Sequence, residues 1–209
     1  MTTSTISPPD IIDQFLGTAA AATLAEVRDS RPDARANAQR SFDALFSPVD
    51  DSEISIAERW AIAAFAVGLH GEDVLGPYYF AKYAALGALP AESEALGAQV
   101  AAGRTSGPYG TYREVNLAKE STDGLRFTVP AAEREVLGER LTAALEHAHL
   151  LVFRPRESSP EALDALLAAG WSTTGIVTLS QLIAFLAFQV RVVHGLATLA
   201  RDIQDGSNR

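Results

Sequence analysis

The stretch SIAERWAIAAFAVGLHGEDV, residues 55–74, decides how the chain is read. Ser55 and Glu58 stand at the spacing of a capping box, where a hydroxyl and a carboxylate satisfy each other's backbone amides at a helix start. Trp60 to Leu69 then runs almost wholly apolar. It stops at Gly71, and the stop carries His70, Glu72 and Asp73. Such a cluster reads either as a site or as a polar cap.

Working outward, helix signals dominate. Ser7-Pro8-Pro9-Asp10 opens a helix that continues through Ile11, Ile12, Phe15 and Leu16. Further helical segments are expected over 23–27, 32–46, 77–86 and 91–102, with punctuation at Gly76-Pro77, Gly87 and Pro90. Residues 131–150 form an amphipathic helix with Val136, Leu137, Leu141, Ala144, Leu145 and Ala148 on one side. Ser159-Pro160 starts another, ended by Gly170, and Ser172 caps a last helix running to Ile203. Between the two sets lies GRTSGPYGTYREVNLAKESTDGLRFT, residues 103–128, rich in glycine and hydroxyls. A connection this long inside a folded chain is commonly functional or disordered. Tyr109, Tyr112 and Phe127 argue for order, and LRFTV reads as a short strand. The expectation is one all-α domain over residues 1–209, with helical halves at 7–102 and 130–205 joined by the loop at 103–129.

Bulk chemistry narrows the function. The 209 residues are 47% hydrophobic and 21% charged, with net charge −9 and no cysteine. An acidic chain without a Lys/Arg cluster repels phosphate backbones, so a nucleic-acid partner is not expected. Missing cysteine removes disulfides, thiolate ligands and thiol nucleophiles together. The start MTTSTISPPD has no signal-peptide pattern. The longest apolar run, IVTLSQLIAFLAFQV, is interrupted by Ser180, Gln181 and Gln189 before Arg191. These features read as a cytoplasmic chain without a membrane span.

The last helix carries a pattern. Ser180, Ala184, Ala187, Arg191, His194, Thr198 and Arg201 recur every three or four residues and share one stripe. Either another helix packs there and Arg191 finds a carboxylate, or the stripe lines a pocket with Arg191 on an anion and His194 moving a proton. A solvated stripe is the third possibility. A buried Arg191 requires an acidic partner.

The combination ISIAERWAIAAFAVGL, a polar turn and PYYFAKYAAL resembles the carboxymuconolactone decarboxylase superfamily, more narrowly its alkylhydroperoxidase D-like, peroxidase-related group. The C-terminal run LDALLAAGWSTTGIVTLSQLIAFLAFQVRVVHGLATL is similar to that group's closing helices. The resemblance covers residues 55–86 and 145–200 and implies an all-α fold that assembles into homo-oligomers: dimers, trimers or hexamers. Active members carry Glu, eleven residues, then Cys-x-x-Cys-x-x-x-His. One thiolate attacks peroxide, the second thiol resolves the sulfenic acid, and Glu and His relay the proton. Laid from Glu58, the two cysteine positions fall on His70 and Asp73 and the histidine position on Pro77. Only Glu58 survives, so the resemblance implies a degenerate redox site.

Candidate catalytic residues are therefore Glu58, His70 and Asp73, with imidazole as a general base that titrates near neutral pH. Their structural alternatives are a capping-box member, a helix-end charge and a turn residue. Arg191 and His194 are candidate holders of a small organic acid, and Tyr109 and Tyr112 candidate lid residues over a pocket. No metal or cofactor is expected: Glu58, His70 and Asp73 match no strong ligand spacing, and His147-x-His149 points its rings about 200° apart on a helix. Two functions stay open, acid–base chemistry on a small organic acid and non-catalytic binding or support of a partner enzyme.

Overall fold

A computed structural model of the chain describes residues 10–71 and 74–207. Among them are ten α-helices, two short 3-10 turns and no strand, so the fold is all-α. The described residues of 1–49 and 188–209 form one unit, and residues 50–187 another. The last helix, α10 (Thr173–Ser207), contributes to both. The division thus falls within a helix and not at the 103–129 connection.

In the second unit the stretch at Ser55 becomes the central helix, α4 (Ile56–Leu69), buried at every residue from Arg59 to Leu69. Its capping box forms as the sequence indicates: Ser55 Oγ accepts the Glu58 N–H at 3.2 Å, and Glu58 accepts the Ser55 N–H at 2.9 Å. Because α4 has no polar face, neighbours surround it: α5 (Leu75–Ala85), α6 (Pro90–Gly103) and α8 (Glu139–Phe153). A methyl added at Gly68 would lie 2.7 Å from Val100, so α4 and α6 approach closely there.

The helix expected over 131–150 is two, α7 (Ala131–Leu137) and α8. Gly138, at φ 79°, breaks it in a conformation that glycine alone adopts freely. Then α9 (Pro160–Ala168) starts under a Ser159 cap. Ser172 opens α10, its hydroxyl accepting the Gly175 N–H at 2.9 Å and donating to Glu53. The strand expected at LRFTV does not form; the single bridge in the connection joins Gly110 to Thr122. Those residues are held instead by side chains, since Phe127 packs on Phe65 and His149, and the Val129 N–H donates to Glu146.

In the first unit α1 (Ile11–Thr23), α2 (Ala25–Asp29) and α3 (Pro32–Phe46) precede the C-terminal part of α10. Asp10 is the N-cap of α1 and forms a capping box with Asp13; Ser7, Pro8 and Pro9 lie outside the described residues. Arg28 and Arg35 each bridge Asp10 and Asp13, the Arg28 Nη2–Asp10 contact measuring 2.7 Å. The two aspartates are 7% exposed, so these charges persist only because they are mutually paired.

Along α10 the apolar residues Leu179, Leu182, Ile183, Leu186, Val190 and Val193 are buried. The stripe of small and polar residues falls on the opposite side: Ala184, Arg191, His194 and Arg201 are exposed, and Ser180, Ala187 and Thr198 half-buried. Arg191 therefore does not carry the burial cost that would demand a carboxylate. By length and composition alone, α10 is apolar enough to cross a membrane, and half of its most apolar window is buried in the protein.

Candidate functional site

Side chains from α4, α5, α6, α7 and α8 line a half-open cavity of about 400 Å³ in the second unit. That size lies within the span of roughly 300–1,000 Å³ found for small-molecule pockets. Its apolar wall is Ala57, Ala61, Leu86, Leu137 and Leu141. Its polar groups are Glu58, Tyr83, Glu92, Glu139 and Arg140. The capping box places Glu58 at the mouth, on the first turn of α4.

Glu58 accepts three hydrogen bonds. One oxygen accepts both the amide and the hydroxyl of Ser55, at 2.9 and 2.8 Å. The other accepts Arg140 Nε at 2.7 Å. Arg140 in turn donates to the carbonyls of Gly170 and Glu53, each at 2.6 Å, and its guanidinium lies 4.1 Å from the Trp171 ring centre. The Trp171 indole N–H closes the circuit on the Arg140 carbonyl at 2.9 Å. Arg140 thus ties the start of α4 to the turn before α10.

Two other groups on the wall keep unused capacity. Tyr83 is 6% exposed, and among the described residues its hydroxyl makes no hydrogen bond. Burial pushes its phenol above the usual tyrosine range, and the nearby Glu92 carboxylate pushes it the same way. Glu92 caps α6 with one oxygen, which accepts the Leu89 N–H at 2.9 Å. Its second oxygen has no protein partner among the described residues.

The residues singled out from sequence are not gathered here. His70 ends α4 as its C-cap, twelve residues beyond Glu58. At 1.5 Å per residue that is about 18 Å along the axis, too far for a shared proton. Asp73 lies outside the described residues. Arg191 and His194 are exposed residues of the first unit. Tyr109 and Tyr112 do not line the cavity and fasten the connection to the end of α8. The Tyr109 N–H donates to the Phe153 carbonyl at 2.6 Å, its hydroxyl meets that of Thr105 at 2.8 Å, and its ring rests on Gly124. The Arg156 guanidinium sits 4.0 Å from the Tyr112 ring centre.

Tyr83, Glu92 and Arg140 were not legible as a site. Arg140 is 82 positions from Glu58, and only the fold makes them partners. Glu92 carries a local signal, the Pro90-x-Glu92 pattern of a helix start, but that signal speaks of capping.

Two buried histidines on α8 are separate from this cavity. His149 Nε2 pairs with the Gly103 carbonyl at 3.0 Å, and its ring stacks on Phe127. His147 is 4% exposed, and neither ring nitrogen has a hydrogen-bond partner. Burial pushes both imidazoles below the ordinary histidine value. Among the described residues no three potential ligands cluster to hold a metal ion.

Comparison of the chain with protein-family models, with curated proteins and with solved structures found no match in any of the three.

Proposed function

We propose that this chain is a cysteine-less relative of the carboxymuconolactone decarboxylase superfamily that binds a small organic molecule and performs no redox chemistry. The observation that carries this reading is the state of Glu58. It lines a cavity of ligand size, yet both its oxygens are committed to Ser55 and Arg140. Three hydrogen bonds fix this carboxylate to the protein and leave one acceptor site over, and the His70 that would share the task of a general base stands a helix-length away. Binding without catalysis is what such a pocket supports. With this reading goes a cytoplasmic location and assembly with copies of the same chain. Supporting the latter are Val177 at 53% and Phe188 at 46% exposed on α10, beside small residues that permit close helix approach.

The test has two arms. The purified chain is incubated with cumene hydroperoxide and dithiothreitol, and peroxide loss is followed with and without a chelator. No turnover above buffer is expected, and metal-free turnover abolished by Glu58→Gln would overturn the reading. In the second arm, 2-phenylethanol, an uncharged probe of suitable size, is titrated by calorimetry into the protein and into Ala57→Phe, which narrows the mouth. Saturable binding lost in the variant supports the pocket; its absence in the parent protein removes it. Light scattering at micromolar concentration is expected to give a mass above one chain.

A further inference from the structure

We infer that the cavity is selective for an organic cation, a small primary amine with an apolar body, and discriminates against the organic acid that its arginine first suggests. This rests on the pocket reading above and adds the sign of the ligand's charge. Three carboxylates, Glu58, Glu92 and Glu139, face one guanidinium across the lining, and no lysine is present. The single cation is largely taken up: three of the five Arg140 N–H groups donate to a carboxylate and two carbonyls, and the guanidinium stacks on an indole. An incoming carboxylate would compete with Glu58 for what remains and would meet three like charges.

An acidic rim alone would say nothing, because Glu139 is 69% exposed and pairs with Arg134 at 2.8 Å. Tyr83 supplies the second observation. Its hydroxyl is carried on a nearly buried side chain that lines the cavity, and it has no partner among the described residues. The hydroxyl itself is reached from the cavity, so water fills its bonding capacity until a ligand takes that place. Glu92 lines the same cavity as Tyr83, so the carboxylate oxygen without a protein partner among the described residues and the hydroxyl make up its polar corner. An ammonium is the group that suits both: it donates to the carboxylate and to the phenol oxygen, and offers no lone pair that must be matched. The wall formed by Ala57, Ala61, Leu86, Leu137 and Leu141 then receives the apolar body.

The experiment compares three probes of one shape by calorimetry in low-salt buffer at neutral pH: phenethylamine, 2-phenylethanol and 3-phenylpropionate. Phenethylamine is expected to bind about tenfold more tightly than the alcohol, the effect of one charge pair in a partly buried site, and the carboxylate more weakly than either. Glu92→Gln, which keeps an oxygen for the Leu89 amide, is expected to bring the amine to within about twofold of the alcohol. Raising ionic strength should weaken the amine alone. Should the alcohol bind as tightly as the amine, or the carboxylate more tightly, the pocket stands and the charge assignment falls. Should amine binding survive unchanged in Glu92→Gln, the assignment to this corner falls. If none of the three binds the parent protein while circular dichroism shows it folded, the pocket reading falls with it.

Discussion

Two parts of the second unit hold an arginine against a glutamate, and they differ in what surrounds the pair. Just past the end of α8, against the 103–129 connection, Arg154, 3% exposed on its side chain, forks onto Glu157 at 2.6 and 2.8 Å and donates to the Gly124 carbonyl at 2.8 Å. Every neighbouring aromatic is used: Tyr109 lies on Gly124, Tyr112 under Arg156, Phe127 between Phe65 and His149. At the start of α4 Arg140 holds Glu58 in the same way, but there the pair borders open space with Tyr83 and Glu92 beside it. Both regions read as functional from sequence. What separates them is leftover bonding capacity. The groups around Arg154 are spent on fastening, whereas the cavity retains a hydroxyl and a carboxylate oxygen.

The sharpest way to break this contrast is to remove each arginine in turn. Arg154→Ala is expected to destabilise the fold by about 3 kcal/mol, because it leaves Glu157 only the exposed Arg126 and strands the Gly124 carbonyl near a buried position. Limited proteolysis should then cut first within residues 104–129. Arg140→Met should cost less, about 2 kcal/mol in urea unfolding, since the Arg140 side chain is 34% exposed and water screens its ion pair. A protease pattern unchanged by Arg154→Ala, or an Arg140→Met loss larger than that of Arg154→Ala, would show that the fastening lies elsewhere.

A smaller effect is expected at the contact that closes the connection. A Cβ at Gly124 would stand 2.4 Å from the Tyr109 ring. Gly124→Ala should therefore cost about 1.5 kcal/mol, and much less in a Tyr109→Ala background, since the clash needs both partners. Equal costs in the two backgrounds would deny the packing.

The smallest effect concerns the histidines of α8, one facing the connection and paired, the other with both ring nitrogens bare. His147→Leu is expected to stabilise the protein by about 1 kcal/mol at pH 7.5, replacing a buried unsatisfied ring by an apolar one of similar size. It should also flatten the acid limb of the stability curve. Both imidazoles are held below the ordinary value in the folded protein. The unfolded chain therefore takes up these protons first, so this contribution is complete above about pH 6.5 and is lost as pH falls below it. A urea midpoint for His147→Leu that falls as steeply as the parent's from pH 7 to 5 would contradict this.

How far the sequence could be read follows from where each signal lives. Ser55 and Glu58 announce α4 because a capping box is a matter of three residues, and the structure forms it. Ser159, Ser172 and Gly170 mark their helix ends for the same local reason. Gly138 was legible as a glycine but not as a break, since the apolar pattern runs across it unchanged and only the angle between α7 and α8 requires the positive φ. The strand reading of LRFTV failed because an extended segment becomes a strand only beside a partner, and Phe127 and Val129 are anchored by helices instead.

By itself the sequence determined the helical class, the absence of thiol chemistry and the capped start of α4, because periodicity, composition and capping act within a few residues. Tertiary structure alone decided that Glu58 is bound by an arginine 82 positions away, that His70 is out of its reach, and that Tyr83 and Glu92 share a cavity. Those facts depend on which groups remain unsatisfied after distant elements pack, and no local pattern records that remainder.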